Sequence, residues 1–325
     1  MQTLSQFQLD FHNYLEANQF KTPPLELYDP VNYILSIGGK RIRPVLSLMS
    51  CALFDDHYQK ALPVAFAVEV FHNFTLLHDD IMDEAPIRRG KPTVHIKYDV
   101  NTGILSGDVM MIYAYDYLTR VDDDLKMPSL FRIFNKMAIK VCEGQQYDIN
   151  FETRSDVTIP EYLKMIELKT SVLLAGSMKM GAVVGNASQE DAEHIYEFGR
   201  NVGLAFQMQD DILDTFGDPE KFGKKVGGDI VQNKKTYLVL KALAVADEAT
   251  KTELQTLMNT PTTDENAKIQ SVKNIFNNLN IRALAEELKS NYLDKAFEHL
   301  NAITVNAERK TSLIKLANDL MQREV

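Results

Sequence analysis

Apolar residues recur at helical spacing from Leu4 to Phe20, and the pattern stops before Pro23-Pro24, which cannot continue a helix. Asp29-Pro30 opens a second predicted helix, with an acid at the N-cap and proline in the first turn, and Gly38-Gly39 closes it. Pro44 to Leu53 is apolar enough to be buried. After the acidic loop Asp55-Asp56, the almost wholly apolar run Val64 to Leu77 ends in the acidic stretch His78-Asp79-Asp80-Ile81-Met82-Asp83. Pro86 to Pro92 is a loop of charges and backbone breakers. Helical patterns resume through Ser106-Gly107-Asp108 and from Ser129 to Phe151, separated by Asp122-Asp123-Asp124, read as solvated loop.

Thr158 with Glu161 has the spacing of a capping box and predicts a helix start before Lys169-Thr170. Ser188 caps the helix that leads into Gln209-Asp210-Asp211-Ile212-Leu213-Asp214. A polar loop from Gly217 to Asn233 follows, and four or five amphipathic segments finish the chain, punctuated by Pro261-Thr262-Thr263. No sustained period-two alternation with hairpin signals occurs, so the expected fold is all-α: a single large helical bundle over residues 1–325.

The chain has 325 residues, 45% of them apolar and 25% charged, as in an ordinary globular protein. Its net charge of −10 argues against a nucleic-acid partner, because phosphate backbones are gripped by net positive surfaces. No apolar stretch approaches eighteen residues, so no transmembrane segment is expected, and the N-terminus lacks the features of a secretory signal, which implies a cytoplasmic protein. Cys51 and Cys142 are too few for a metal cluster and are read as small core residues.

The two acidic stretches change this picture. Carboxylates at i, i+1 and i+4 of a helix leave the first and last one turn apart on one face. Six acids in two such stripes at the ends of apolar helices call for cations. At a spacing of about 6 Å and an effective dielectric near 20, repulsion is roughly 3 kcal/mol per pair. Hard oxygen donors suit magnesium, whose other positions are filled by water and substrate phosphates. Basic groups stand at loop ends nearby, in Gly39-Lys40-Arg41-Ile42-Arg43 and Arg88-Arg89-Gly90, where arginine forks and lysine point charges fit a diphosphate. Glu69 and His72 form an E-x-x-H pair, which a di-iron bundle would need twice, and a second copy is absent from the sequence.

In order and spacing, these motifs, with Gly107-Asp108, Gly144-Gln145, Lys169-Thr170, Gln207 to Asp214, and Gly223-Lys224 before Asn233-Lys234, resemble the trans-isoprenyl diphosphate synthases, the head-to-tail prenyltransferases. The resemblance runs from about Leu35 to Tyr237. It implies an all-helical homodimer, each bundle built around a deep central pocket, in which Asp79, Asp80, Asp83, Asp210, Asp211 and Asp214 bind three magnesium ions on the diphosphate of an allylic substrate. Arg88, Lys169, Lys224 and Lys234 would reach that diphosphate, with Lys225 an alternative to Lys224. Isopentenyl diphosphate would be held by Lys40, Arg43, His72 and Arg89, and Thr170 and Gln207 would face the developing allylic cation.

In that family the residues five and four positions before the first acid set product length, here Phe74 and Thr75. One aromatic and one small residue imply geranylgeranyl diphosphate as main product, with farnesyl diphosphate or a longer polyprenyl chain as alternatives. Phe74 projects about 140° around the helix from Asp79, so a neighbouring element is needed to bring it to the pocket. A class I terpene cyclase and a non-catalytic regulatory subunit are the rival readings. The isopentenyl subsite argues against the first and the intact acidic stripes against the second.

Overall fold

A computed structural model describes residues 3–218, 226–260 and 264–321. It divides into two compact units, Met1–Lys136 with Leu173–Tyr196 and Ile303–Leu313, and Met137–Val172 with Glu197–Ala302 and Ile314–Val325.

The first unit contains α1 (Leu4–Ala17), α2 (Leu25–Ser36), α3 (Ile42–Ala52), α4 (Leu62–Met82), α5 (Val94–Lys97) and α6 (Val100–Leu118). It also takes in the start of α7 (Met127–Thr153), most of α9 (Val172–Val184) and the first turns of α10 (Gln189–Phe216). Its core helix is α4, which packs on α3 and α6. Val64 through Phe71 is buried without a break, as expected of a helix that is apolar all round. The Phe66 ring stands 4.2 Å from Tyr117 and 5.8 Å from Tyr14, centre to centre. Truncating such a fully buried ring costs about 3–5 kcal/mol. From Tyr58 to Met82 the chain is long and apolar enough to cross a membrane, which the sequence reading did not anticipate, but 61% of its most apolar window is buried, as in a core helix.

Three further expectations need correction. Helix α2 starts at Leu25, ahead of Asp29, and Pro30 lies inside it. Packing outweighs the missing N–H: the Tyr28 ring stacks on Phe20 at 6.0 Å and meets Tyr113 at 6.1 Å. The loop after α4 is a small hairpin, with Ile87–Arg88 paired antiparallel to Lys91–Pro92. Its turn residues Arg89 and Gly90 have φ of 52° and 75°, the left-handed pair that a two-residue hairpin turn requires. Cys51 is in the core as expected, whereas Cys142 is exposed on α7.

The second unit contains the rest of α7, α8 (Ile159–Ile166), a π-helical turn (Glu167–Ser171), the later part of α10, α11 (Gly228–Val231), α12 (Tyr237–Val245), α13 (Glu248–Asn259), α14 (Glu265–Asn278) and α15 (Ile281–Ala302). Helix α16 (Ala307–Met321) closes the described chain. The capping box forms as read, with Thr158 and Glu161 each receiving a backbone N–H of the other. In the first unit Ser188 likewise accepts from Asp191 N at 3.0 Å. The core of this unit gathers Met165, Leu204, Met208, Ile212, Leu238 and Phe276.

Candidate active site

In the first unit the acidic stripe occupies the last turn of α4, closed by the Asp83 N–H donating to Asp79 O at 2.9 Å. The three acids differ. Asp79 and Asp83 lie one turn apart, whereas Asp80 is 3% exposed and held by Arg88. Arg88 Nε lies 2.9 and 2.8 Å from the two Asp80 oxygens, and Nη2 lies 2.8 Å from Oδ1. The same Nη2 is 3.9 Å from Asp79 Oδ2. Arg88, expected at a diphosphate, is therefore first a clamp on the acid that carries the stripe.

The hairpin turn sends Arg89 elsewhere. Its guanidinium donates to Gly38 O, and a β-carbon at Gly39 would lie 2.6 Å from Arg89 Nη1. Gly39, at φ 125°, thus admits the arginine and the turn together. Arg43 Nη1 stands 3.2 Å from His72 Nε2. Arginine has only donors, so the His72 nitrogen accepts and the ring is neutral. Burial and the surrounding Arg43, Arg89, Arg88 and Arg41 hold the His72 pKa well below its usual value. Arg43, His72 and Arg89, the residues expected at isopentenyl diphosphate, are thus gathered around one loop. Lys40, in the same loop, lines a cavity of about 340 Å³ with Gly38, Gly39 and residues of α1.

Phe74 packs against Phe71 at 5.7 Å and His78 at 4.8 Å, and Phe71 meets Phe134 at 5.3 Å. The His78 ring fits because Gly107 on α6 has no side chain: a β-carbon there would lie 2.2 Å from Nε2. Phe74 is therefore one rung of an aromatic ladder below the acids. Thr75, four residues before Asp79, shares its face of the helix, and its hydroxyl donates to His72 O at 2.8 Å.

In the second unit, Asp210, Asp211 and Asp214 lie on α10. Asp211 is again the buried middle acid, 4% exposed. It accepts the Tyr162 hydroxyl and, at 3.3 Å, the Gln207 amide. Burial, with the nearby Asp229 and Asp210 carboxylates, pushes its pKa up to about 8 against those two donors. Asp214 accepts the Asp229 N–H at 3.0 Å. Thr170 Oγ1 donates to Gln207 Oε1 at 3.5 Å, and Lys169 Nζ lies 2.6 Å from Asp148 Oδ2.

Lys169 and Thr170 belong to the π-helical turn, and two glycines on other helices make room for it. A β-carbon at Gly144 would lie 2.2 Å from Lys169 N, and one at Gly203 would lie 2.8 Å from Ser171 Cα. Lys234 Nζ is 3.3 Å from Asp229 Oδ1. Burial works against its ammonium, but Asp229, Asp148 and Asp214 outweigh it and raise its pKa. Lys224 and Lys225 lie outside the described residues.

Sequence reasoning missed Tyr162, Asp148, Asp229 and the pairing of Glu69 with Arg41, because each acts through a partner distant in sequence. Gly228-Asp229, a glycine-acid step in a polar loop, was the one local signal available. Among the described residues no three His, Cys, Asp or Glu side chains are grouped as a ready metal site. Magnesium is usually held by one or two carboxylates plus substrate phosphate oxygens, and each stripe offers such carboxylates. The donors are hard carboxylates, and a divalent cation nearby would relieve the cost that Asp211 bears.

Residues 24–277 match the profile of the polyprenyl synthetase family. A short chain isoprenyl diphosphate synthase of Methanocaldococcus jannaschii is 42% identical over 248 residues, covering 76% of this chain and 74% of that protein. A geranylgeranyl diphosphate synthase of Methanosarcina mazei is 37% identical over 312 residues, covering 93% of this chain and 91% of that one. A crystal structure of a geranylgeranyl pyrophosphate synthase is similar with a TM-score of 0.95 at 46% identity, covering 100% of both chains.

Proposed function

From the premise that the chain belongs to the polyprenyl synthetase family, we propose that it condenses isopentenyl diphosphate with an allylic diphosphate, releasing diphosphate, with geranylgeranyl diphosphate as main product. Farnesyl and longer products are the alternatives. The observation that carries this reading is the shared build of the two acidic stripes. In each, the outer acids are one turn apart and the middle acid is tied down by its own unit, Asp80 by Arg88 and Asp211 by Tyr162.

Asp79 and Asp83, and Asp210 and Asp214, are the acids assigned to magnesium, with Asp80 and Asp211 holding the stripes in place. Three ions are expected with substrate bound. When bound, magnesium supplies neutralisation of the charge that develops on the departing diphosphate. Arg88, Lys169, Lys234 and Lys224 are assigned to that diphosphate, and Lys169 would exchange Asp148 for a phosphate oxygen. Arg43, His72, Arg89 and Lys40 are assigned to isopentenyl diphosphate. Thr170 and Gln207 would present oxygen dipoles to the allylic cation without a group nucleophilic enough to capture it. The isopentenyl double bond attacks that cation, and the released diphosphate takes the proton.

The same reading treats residues 1–325 as one functional domain acting in the cytoplasm on water-soluble substrates. It also makes the protein a homodimer. Val100, Ile104, Leu105 and Ile112 of α6 are 48%, 41%, 59% and 66% exposed, and an apolar face of that kind supports burial against a second copy.

The test is incubation of the purified chain with magnesium, labelled isopentenyl diphosphate and dimethylallyl diphosphate. Label passing into a longer allylic diphosphate supports the reading. Label staying in isopentenyl diphosphate while an allylic substrate is cyclised would make the protein a terpene cyclase. No turnover by the chain alone would make it a regulatory subunit.

A further inference from the structure

Three of the four residues Gly38 to Arg41 have left-handed backbone, with φ of 94° at Gly38, 125° at Gly39 and 49° at Arg41. For an arginine that conformation is uphill and has to be held from outside. Arg41 also caps α3 without a side-chain bond to the helix. Its guanidinium donates instead to Leu35 O, at the end of α2, and to Glu69 Oε1, in the middle of α4. The side chains of this ion pair are 14% and 4% exposed. Asn73, one turn further along α4, donates to the same Glu69 oxygen at 2.9 Å and to Glu69 O at 2.8 Å.

Both ends of this link adjoin the isopentenyl subsite. Arg41 lies between Lys40 and Arg43, and Glu69 lies one turn before His72, which meets Arg43 at 3.2 Å. Arg43 Nε is buried without an acceptor among the described residues, so the guanidinium keeps a donor that its present contacts leave unused. Burial lowers the pKa of both Arg43 and Arg89, and the Glu69 carboxylate works against that loss.

We infer that Glu69, acting through Arg41, is a positioning residue for the isopentenyl diphosphate subsite: it locks the Gly38–Arg43 loop onto α4 so that Lys40, Arg43 and His72 keep a fixed spacing. This rests on the assignment of those residues to isopentenyl diphosphate. The E-x-x-H pair thereby gains a role unrelated to iron, in which its acid orders the loop and its histidine meets the arginine.

The experiment is steady-state kinetics of the full-length wild type, Glu69→Gln and Arg41→Lys, with each diphosphate varied in turn. Glu69→Gln should raise KM for isopentenyl diphosphate about tenfold or more, with KM for the allylic diphosphate moving less than about twofold, since misplacement of binding groups acts on the substrate they hold. Arg41→Lys keeps the charge but cannot span both acceptors, so it should give a smaller shift of the same selectivity. Equal changes in both KM values, no change, or tighter binding of isopentenyl diphosphate on loss of the Glu69 charge would overturn the inference. If Glu69→Gln does not fold, Arg41→Lys decides by the same criterion. A wild type that consumes no isopentenyl diphosphate overturns the functional assignment itself, which the variants cannot mimic.

Discussion

Arg88 grips Asp80 through Nε and Nη2, all three contacts falling between 2.8 and 2.9 Å, so the buried acid of the first stripe is neutralised from within its own unit. Removing the arginine leaves that carboxylate desolvated and unpaired. Because Arg88 remains 24% exposed, water recovers part of the loss, and Arg88→Ala should cost about 2–3 kcal/mol, against 3–5 for a fully buried pair. Urea unfolding of Arg88→Ala and of the Arg88→Ala/Asp80→Asn double variant measures it. The double variant should recover most of the stability but not the activity. Equal stability of both variants would show that the clamp is not what holds Asp80.

Phe74 sits in the aromatic ladder with Phe71 and Phe134, so truncating it removes a ring from below the acids. Phe74→Ala should shift products longer by at least one isoprene unit. Thr75→Phe, on the Asp79 face, should shorten them. Chromatographic sizing of the hydrolysed products reads both, and unchanged lengths in Phe74→Ala would remove Phe74 as the floor of the pocket.

The π-helical turn depends on residues outside itself. Gly144→Ala would gain about 1 kcal/mol of helix propensity on an open surface, but here its methyl group would meet the Lys169 backbone at 2.2 Å. A lower melting temperature is expected, together with a raised KM for the allylic diphosphate, as Lys169 and Thr170 are pushed aside. An unimpaired Gly144→Ala enzyme would contradict the close packing.

Stability should depend on pH through His72. Its pKa is depressed in the folded state, so below the ordinary value near 6.5 the unfolded chain binds a proton that the native ring does not. Stability is then lost as pH falls, by at most about 1.4 kcal/mol per pH unit for one group. Comparing urea midpoints at pH 7.5 and 5.5, His72→Gln should lose less stability than the wild type. An identical loss in both would assign the effect to other groups.

How far the sequence reaches is visible in particular residues. The apolar run Val64 to Leu77, the Thr158–Glu161 capping box and the Ser188 cap are local signals, and the fold honours each of them. The three acids of a DDxxD motif look equivalent in sequence. Only packing separates them, because Arg88 reaches back from a hairpin and Tyr162 lies 49 residues from Asp211. The hairpin turn was missed because arginine takes a left-handed position normally given to asparagine or glycine. The π-helical turn has no local signature, since Gly144 and Gly203, which admit it, lie on other helices.

The central claim is a condensation that uses isopentenyl diphosphate as acceptor and both acidic stripes. It is tested most directly by following radiolabelled isopentenyl diphosphate into allylic products in wild type, Asp79→Asn and Asp210→Asn. The account predicts labelled geranylgeranyl diphosphate from the wild type and a loss of about a hundredfold or more in each variant, the scale on which electrostatic stabilisation of a leaving group acts. Wild-type label that stays in isopentenyl diphosphate, or a variant of either stripe that turns over normally, would contradict it.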